Sequence, residues 1–211
     1  MQERADRTRR AILKAAAETF EAHGYLGTSL QDVVAGRQVS KGALYFHFPS
    51  KEQLAAAIIL EQRDLLPKLA DELRDRHPRA IRLLIEVSQL TAGRLRRDVM
   101  VRAGTRLACE REQIGGSTPP LFDRWTETIE SLLDEAREQG DLLPEVDTRV
   151  VAEFIIVAFT GLQHWGYFAK ASATPQPPLV VMWRLLLPGL VTSECLSEIS
   201  EDIGTTVCDT A

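Results

Sequence analysis

The chain has few cysteines, and their spacing argues against metal and disulfide chemistry. Cys109, Cys195 and Cys208 are far apart, so they form neither a metal-binding pair nor an even disulfide framework. Unpaired thiols fit a reducing cytoplasm, where we expect the protein to reside. No P-loop, HExxH, nucleophile elbow or dinucleotide fingerprint occurs, so we expect no cofactor, no metal and no enzymatic activity.

Export signals and long hydrophobic runs are also lacking. The N-terminus is charged and has no apolar signal core. Residues 150–168 form the one apolar stretch long enough to suggest a membrane span, but Glu153, Gln163 and His164 interrupt it. We therefore expect no membrane contact, and a helix buried between subunits at this position.

Basic charge is scarce overall but is concentrated at the N-terminus. The net charge is −5, yet residues 1–51 hold eight Lys/Arg against five Asp/Glu, a balance of +3 that leaves −8 for the rest. DNA phosphates attract positive charge, so only the N-terminal part suits a nucleic acid. A length of 211 residues accommodates such a module together with a larger domain that has its own core.

Strand signals are nearly absent, whereas apolar residues recur at helical spacing from end to end, which predicts an all-α protein. We expect an N-terminal three-helix helix-turn-helix domain at residues 1–52. A larger helical ligand-binding and dimerisation domain should follow at residues 53–200, and residues 201–211 should form a flexible tail.

Capping residues predict where several helices begin. Thr28 with Gln31 and Ser50 with Gln53 fit the capping box, so a helix should start at each. The helix from Ser50 is predicted to be long, to link the two domains and to kink at Pro67. The first helix should stop at a glycine near position 24, and the last two should run over about 150–168 and 178–197.

The segment TSLQDVVAGRQVSKGALYFHF, residues 28–48, predicts two short helices joined by a turn, as in a helix-turn-helix. Its apolar residues would form a small core: Leu30, Val33, Val34, Val39, Leu44 and Phe48. The second helix, capped by Ser40, would then present Lys41, Gly42, Tyr45 and His47 outward. Such a helix can enter the major groove, but many three-helix units bind no DNA, so shape alone leaves both interpretations open.

Two runs resemble the TetR family of one-component bacterial regulators. They are RTRRAILKAAAETF at 7–20 and SKGALYFHFPSKEQL at 40–54, whose Lys-Gly-x-Leu-Tyr-x-His-Phe core is specific. The resemblance implies that Lys41 and Tyr45 contact bases or phosphates, that His47 lies near the DNA backbone and that Lys51 holds a phosphate. The expected DNA contacts are Thr28, Ser29, Gln31, Arg37, Ser40, Lys41, Gly42, Tyr45, His47 and Lys51. For the first three, simple helix capping is the alternative.

The turn between the two motif helices departs from the family pattern. Ala-Gly is usual before Val39 and Ser40, whereas Arg37 and Gln38 stand here. A left-handed conformation at Gln38 would cost about 1 kcal/mol. Arg37 is either an extra phosphate contact or a solvated side chain.

The C-terminal part resembles the gamma-butyrolactone receptors that control antibiotic production in actinomycetes. The likeness is carried by VRAGTRLA at 101–108 and FDRWTETIESLLDEAREQGDLLPEVD at 122–147. It implies a small apolar signalling ligand: a lactone, a butenolide or a furan. Trp125 is expected to line the pocket, because an indole offers an apolar wall and one N–H donor; a core tryptophan is the alternative.

Three polar residues on otherwise apolar helices are further candidates for ligand contact. Gln62, Thr160 and Gln163 could each fix a lactone carbonyl or hydroxyl inside an apolar cavity. A satisfied hydrogen bond between helices is the alternative for each.

The expected function is a homodimeric repressor that binds a pseudo-palindromic double-stranded DNA operator, is released by its ligand and controls secondary metabolism. A dimer is expected because the helices after Val150 and Pro178 are apolar on more than one side, and because a single helix-turn-helix reads too few bases. Burial of these helices in a monomer core is the alternative. A drug-sensing efflux regulator of the same fold is the main alternative function, and an enzyme is a more distant one.

Overall fold

The computed structural model describes residues 2–35, 39–115, 119–168 and 177–200, with only the backbone described at 2, 163–168 and 200. Within these residues the chain forms twelve α-helices and no strand beyond one bridge between Leu142 and Val191, which confirms the all-α prediction. The helices are α1 (Gln2–His23), α2 (Leu30–Val34), α3 (Lys41–His47), α4 (Lys51–Arg63), α5 (Leu65–Leu73), α6 (Ala80–Arg97), α7 (Val99–Cys109), α8 (Arg111–Ile114), α9 (Leu121–Glu138), α10 (Thr148–Phe168), α11 (Pro178–Leu186) and α12 (Ser193–Ser200).

The chain divides into two compact units. The first comprises residues 1–65 and 94–124, and the second comprises residues 66–93 and 125–211. This division does not coincide with the predicted boundary at residue 52, since α4 and the segment 94–124 pack with the N-terminal helices. The domains at 1–52 and 53–200 therefore stay predictions, and the predicted tail at 201–211 lies outside the described residues.

In the first unit, α7 packs against both α1 and α4. Ile12, Phe20 and Ile58 are fully buried there. A β-carbon placed on Gly104 would lie 2.4 Å from Cγ of Gln62, so only a hydrogen atom fits at this position. Gly104 thus lets α7 approach α4 closely.

The start of α2 differs from the prediction by one residue. Ser29, not Thr28, is the N-cap: its Oγ accepts a hydrogen bond from the backbone N–H of Asp32, and the Asp32 carboxylate accepts one from the Ser29 N–H at 2.8 Å. The Ser29 hydroxyl also donates to the Asp32 carboxylate at 2.6 Å, and this bond, together with the one from the Ser29 N–H, lowers the pKa of Asp32. The predicted end of α1 is confirmed, because Gly24 has φ +70° and donates to the Phe20 carbonyl at 2.8 Å.

The helix predicted from Ser50 is two helices rather than one kinked helix. Ser50 caps α4 as expected, with its Oγ accepting from the Gln53 N–H at 3.2 Å. The helix stops at Arg63, and α5 begins at Leu65. Pro67 explains the break, because it has no N–H for the Arg63 carbonyl and its ring collides with that turn.

The last predicted helix is also divided. The segment predicted as one helix over 178–197 forms α11, a 3-10 turn over Leu187–Gly189 and then α12. Pro188 and Gly189 account for the interruption, since proline removes a helical hydrogen bond and glycine favours a turn. The prediction for α10 is confirmed to within two residues. Among the described helices, none combines the length and apolarity that a bilayer crossing requires.

Candidate nucleic-acid interface and ligand cavity

Helix α3 has one buried side and one exposed face. Leu44 is fully buried beneath it, whereas Lys41, Gly42 and Tyr45 are exposed. Ser40 caps the helix, since its Oγ accepts from the Ala43 N–H at 3.1 Å. The structure thus brings together the predicted outward residues of α3 at a capped helix N-terminus, the geometry that suits entry into a major groove.

Phe46 also lies on this face, and sequence reasoning missed it. Its side chain is 81% exposed, one helical turn beyond Gly42. His47 is only half-buried, and its ring packs edge-on against Phe46 with 5.2 Å between ring centroids. The spacing of four residues from Gly42 to Phe46 was a usable signal, because it places both residues on the same side of a helix.

The expected contacts at α2 divide into exposed and buried residues. Ser29 and Gln31 are exposed. Thr28 is 3% exposed and its Oγ1 donates to the Gly24 carbonyl at 2.8 Å, so the expected DNA contact at this residue is wrong. Its hydroxyl instead fixes the turn before α2. Arg37 and the adjoining turn residue Gln38 lie outside the described residues.

Lys51 makes contacts within the protein, and its expected phosphate contact stays a prediction. Its ammonium donates to the carbonyls of Tyr25 and Thr28, both at 2.9 Å, and lies 4.2 Å from the centroid of the Tyr25 ring. The Tyr25 carbonyl also accepts the backbone N–H of Thr28 at 3.3 Å, so the ammonium adds charge-assisted hydrogen bonds to a turn that is already formed. Lys51 therefore joins the start of α4 to the turn between α1 and α2.

Tyr25 connects this turn to two acidic side chains. Its hydroxyl donates to Glu52 at 2.8 Å, and its backbone N–H donates to Glu110 at 2.6 Å. Burial, reinforced by the Glu52 carboxylate, raises the pKa of Tyr25 to about 12. The phenol stays protonated at neutral pH and remains a hydrogen-bond donor.

The second unit contains a small apolar cavity of about 10 Å³. A volume of this size holds about one water molecule. Ser88 and Thr91 supply the only hydroxyls of the described lining, and both donate to carbonyls of α6. The lining consists of Leu66, Leu84, Val87, Ser88, Thr91, Trp125, Ile129, Ile155, Ile156 and Phe159.

The comparisons with known proteins identify the family. Residues 12–58 match the family described as bacterial regulatory proteins, tetR family, and residues 80–192 match the tetracyclin repressor-like C-terminal domain. The A-factor receptor protein of Streptomyces griseus is 32% identical over 201 residues, which cover 95% of this chain and 70% of that protein. The chain belongs to the TetR family. It is accordingly a transcriptional regulator and not an enzyme.

Solved structures of TetR-family proteins agree over most of the chain. A gamma-butyrolactone receptor (ArpA-like protein) superposes with a TM-score of 0.81 and 31% identity, covering 95% of this chain and 96% of that one. CprB of Streptomyces coelicolor, in complex with its biological operator sequence, gives a TM-score of 0.77 and 33% identity, covering 92% and 94%. The predicted resemblance to the TetR family and to gamma-butyrolactone receptors is confirmed.

The four residues predicted to contact the ligand of this TetR-family regulator do not come together in the cavity. Trp125 lines it and is 1% exposed. Gln62 belongs to the first unit, where it is buried against Gly104. Thr160 follows the lining residue Phe159 on α10 but does not line the cavity itself. The side chain of Gln163 lies outside the described residues. Ser88 was missed as a polar lining residue, although a hydroxyl on the apolar stripe of α6 was a visible signal.

Proposed function

We propose that this TetR-family regulator is a ligand-responsive repressor. As a homodimer it binds a pseudo-palindromic operator in double-stranded DNA, and a gamma-butyrolactone, butenolide or furan releases it. The observation that carries the proposal is the exposed face of α3 with Lys41 and Tyr45, together with similarity over most of the chain to the A-factor receptor. We further infer that it controls secondary metabolism, and that it acts in the cytoplasm, where its operator lies.

The DNA-binding part of the proposal rests on α3. Lys41 supplies a point charge for a phosphate, and Tyr45 supplies a hydroxyl together with an apolar ring. Gly42 has nothing within 4 Å of where a β-carbon would stand, so the backbone at the start of α3 is open to close approach. A helix N-terminus with a lysine favours contact with anionic phosphates.

The ligand part rests on the cavity around Trp125. Its described lining carries no charged side chain, which suits a neutral lactone or butenolide. The Ser88 hydroxyl accepts a hydrogen bond from Nε1 of Trp183 at 2.9 Å, so α11 is tied to the cavity wall. Because the cavity holds only about 10 Å³, a ligand must displace side chains to enter. Ligand binding therefore selects a conformation in which this cavity is larger than in this structure.

The dimer part rests on an apolar row along α10. Val150, Phe154 and Val157 are 60%, 53% and 68% exposed and follow one another at helical spacing. On α11, Leu185 is 77% exposed. Apolar side chains in such a row are stabilised when a second copy of the chain covers them, and two recognition helices then address two half-sites.

Operator selection tests the DNA-binding part. The full chain is used to recover duplexes from a random pool, and we expect it to enrich a pseudo-palindrome. Tyr45→Ala should weaken binding to the recovered duplex by about tenfold or more, with unchanged helicity by circular dichroism. Leu60→Ala, which alters a half-exposed apolar residue of α4, is the matched control and should bind like the wild type. Failure to enrich any duplex would refute the repressor assignment.

Thermal shift tests the ligand part. Saturation with the cognate ligand should raise the Tm of the full chain by about 5–10 °C. The panel contains gamma-butyrolactones, butenolides, furans and lipophilic drugs. We expect a shift with one of the first three classes, and a much smaller one for Trp125→Phe. A shift with the drugs alone would instead support an efflux regulator.

A further inference from the structure

Phe46 stands out among the apolar side chains of the described residues. At 81% it is the most exposed large hydrophobic side chain there. Exposing a phenyl ring to water is unfavourable by comparison with burying it, so a ring at this position suggests a partner surface. That ring lies on the same helix face as Lys41 and Tyr45, which already form the candidate DNA contact.

The geometry of α3 directs the ring toward base edges. Lys41 and Tyr45 are one helical turn apart, and so are Gly42 and Phe46, so the four exposed residues form two neighbouring rows along α3. Long side chains on a helix lean toward its N-terminus, and Gly42 lies one turn before Phe46 in that direction. No side chain at Gly42 obstructs it. The N-terminal part of a recognition helix is the part that meets base edges.

The chemistry of the ring restricts what it can recognise. Phenylalanine has no hydrogen-bond donor or acceptor, so it cannot read the polar edges of bases. The one apolar group that base pairs present in the major groove is the 5-methyl group of thymine. Among the described residues, the ring packs edge-on against one neighbour only, His47, and the rest of its surface is open to a partner.

We propose that Phe46 is a specificity-determining residue that contacts a thymine methyl group in each operator half-site. The proposal rests on the repressor function proposed above. It adds a residue that reads sequence to Lys41 and Tyr45, and it requires a thymine at one fixed position of the recognition sequence.

The experiment removes the methyl group without changing base pairing. In the duplex recovered by the full chain, each thymine is replaced in turn by uracil, and affinities are measured by fluorescence anisotropy. For the wild type, we expect one position in each half-site at which uracil weakens binding by about fourfold, the value for one lost methyl contact. Phe46→Ala should bind the thymine duplex more weakly and show no further loss with uracil. Leu60→Ala is the control and should keep the full uracil sensitivity.

Three results would overturn the inference. The wild type could show no uracil-sensitive position while Phe46→Ala binds normally, which indicates no contact. The wild type could show no such position while Phe46→Ala binds more weakly, which indicates a sugar or phosphate contact. Finally, Phe46→Ala could retain the uracil sensitivity of the wild type, which indicates that another residue reads the methyl group. Each of these leaves operator binding intact, so it contradicts the role of Phe46 alone. Failure to recover any duplex would contradict the repressor function and this inference together. An unchanged Tm for Phe46→Ala verifies that the variant is folded.

Discussion

Lys41 and Lys51 carry the same charge in different surroundings. Lys41 is exposed at the start of α3, whereas the Lys51 ammonium donates to two backbone carbonyls. Lys51→Ala should therefore lower the free energy of unfolding by about 1–3 kcal/mol, since it leaves two acceptors without their charged donor. Lys41→Ala should change it by less than about 0.5 kcal/mol. Urea unfolding of the two variants measures the difference.

The same two variants separate a phosphate contact from a structural one. Lys41→Ala should weaken operator binding and make the slope of log affinity against log salt shallower by about one. A Lys41→Ala protein that loses stability while Lys51→Ala keeps it would reverse the two assignments. The sequence predicted both lysines as DNA contacts, because the resemblance gives residue types but not whether a carbonyl lies within reach of the ammonium.

Gly104 shows how one small residue sets a helix contact. A β-carbon there would lie 2.4 Å from Cγ of Gln62, so Gly104→Ala should destabilise the protein by about 1–3 kcal/mol through overpacking. In the double variant with Gln62→Ala, which removes that Cγ, the penalty of Gly104→Ala should be smaller. Urea unfolding of the four proteins gives the coupling. Equal penalties in both backgrounds would show that the contact does not constrain the two helices.

At the scale of helices, the sequence predicted which segments are helical better than it predicted where a helix is interrupted. The bounds of α10 and the end of α1 at Gly24 were predictable, because apolar periodicity and a left-handed glycine are local signals. The breaks before Pro67 and at Pro188 were not, since a proline in a periodic segment either kinks a helix or ends it. Which occurs depends on how the flanking turns pack. The cap at Ser29 was missed because Thr28 and Ser29 both fit the same local pattern.

The exposed apolar row on α10 leads to a prediction about dimerisation. Phe154→Glu places a charge in the middle of the exposed apolar row, so a dimer formed through this face should dissociate because a carboxylate would be buried there. Sedimentation velocity should show a monomer for this variant and a dimer for the wild type. Ser131→Glu, at an exposed position of α9, adds the same charge elsewhere and should remain dimeric. A dimeric Phe154→Glu protein would place the interface on another surface.

At the scale of the whole chain, the sequence predicted the all-α class and the family, but not how residues assemble into a ligand site. Gln62 and Trp125 were expected around one ligand, and of the two only Trp125 lines the cavity. A polar residue on an apolar helix fits a ligand contact and an interhelical contact equally well. The size of the cavity could not be predicted from the sequence either, because it depends on how large side chains pack around Trp125.

A single titration shows whether ligand binding and DNA binding are coupled in this chain. A labelled operator duplex bound by the full chain is titrated with the gamma-butyrolactone that gives the largest thermal shift, and anisotropy follows release. With this coupling, operator affinity should fall by about tenfold or more at saturating lactone, and operator should weaken lactone binding by the same factor. An operator affinity that stays unchanged while the lactone is bound would contradict it.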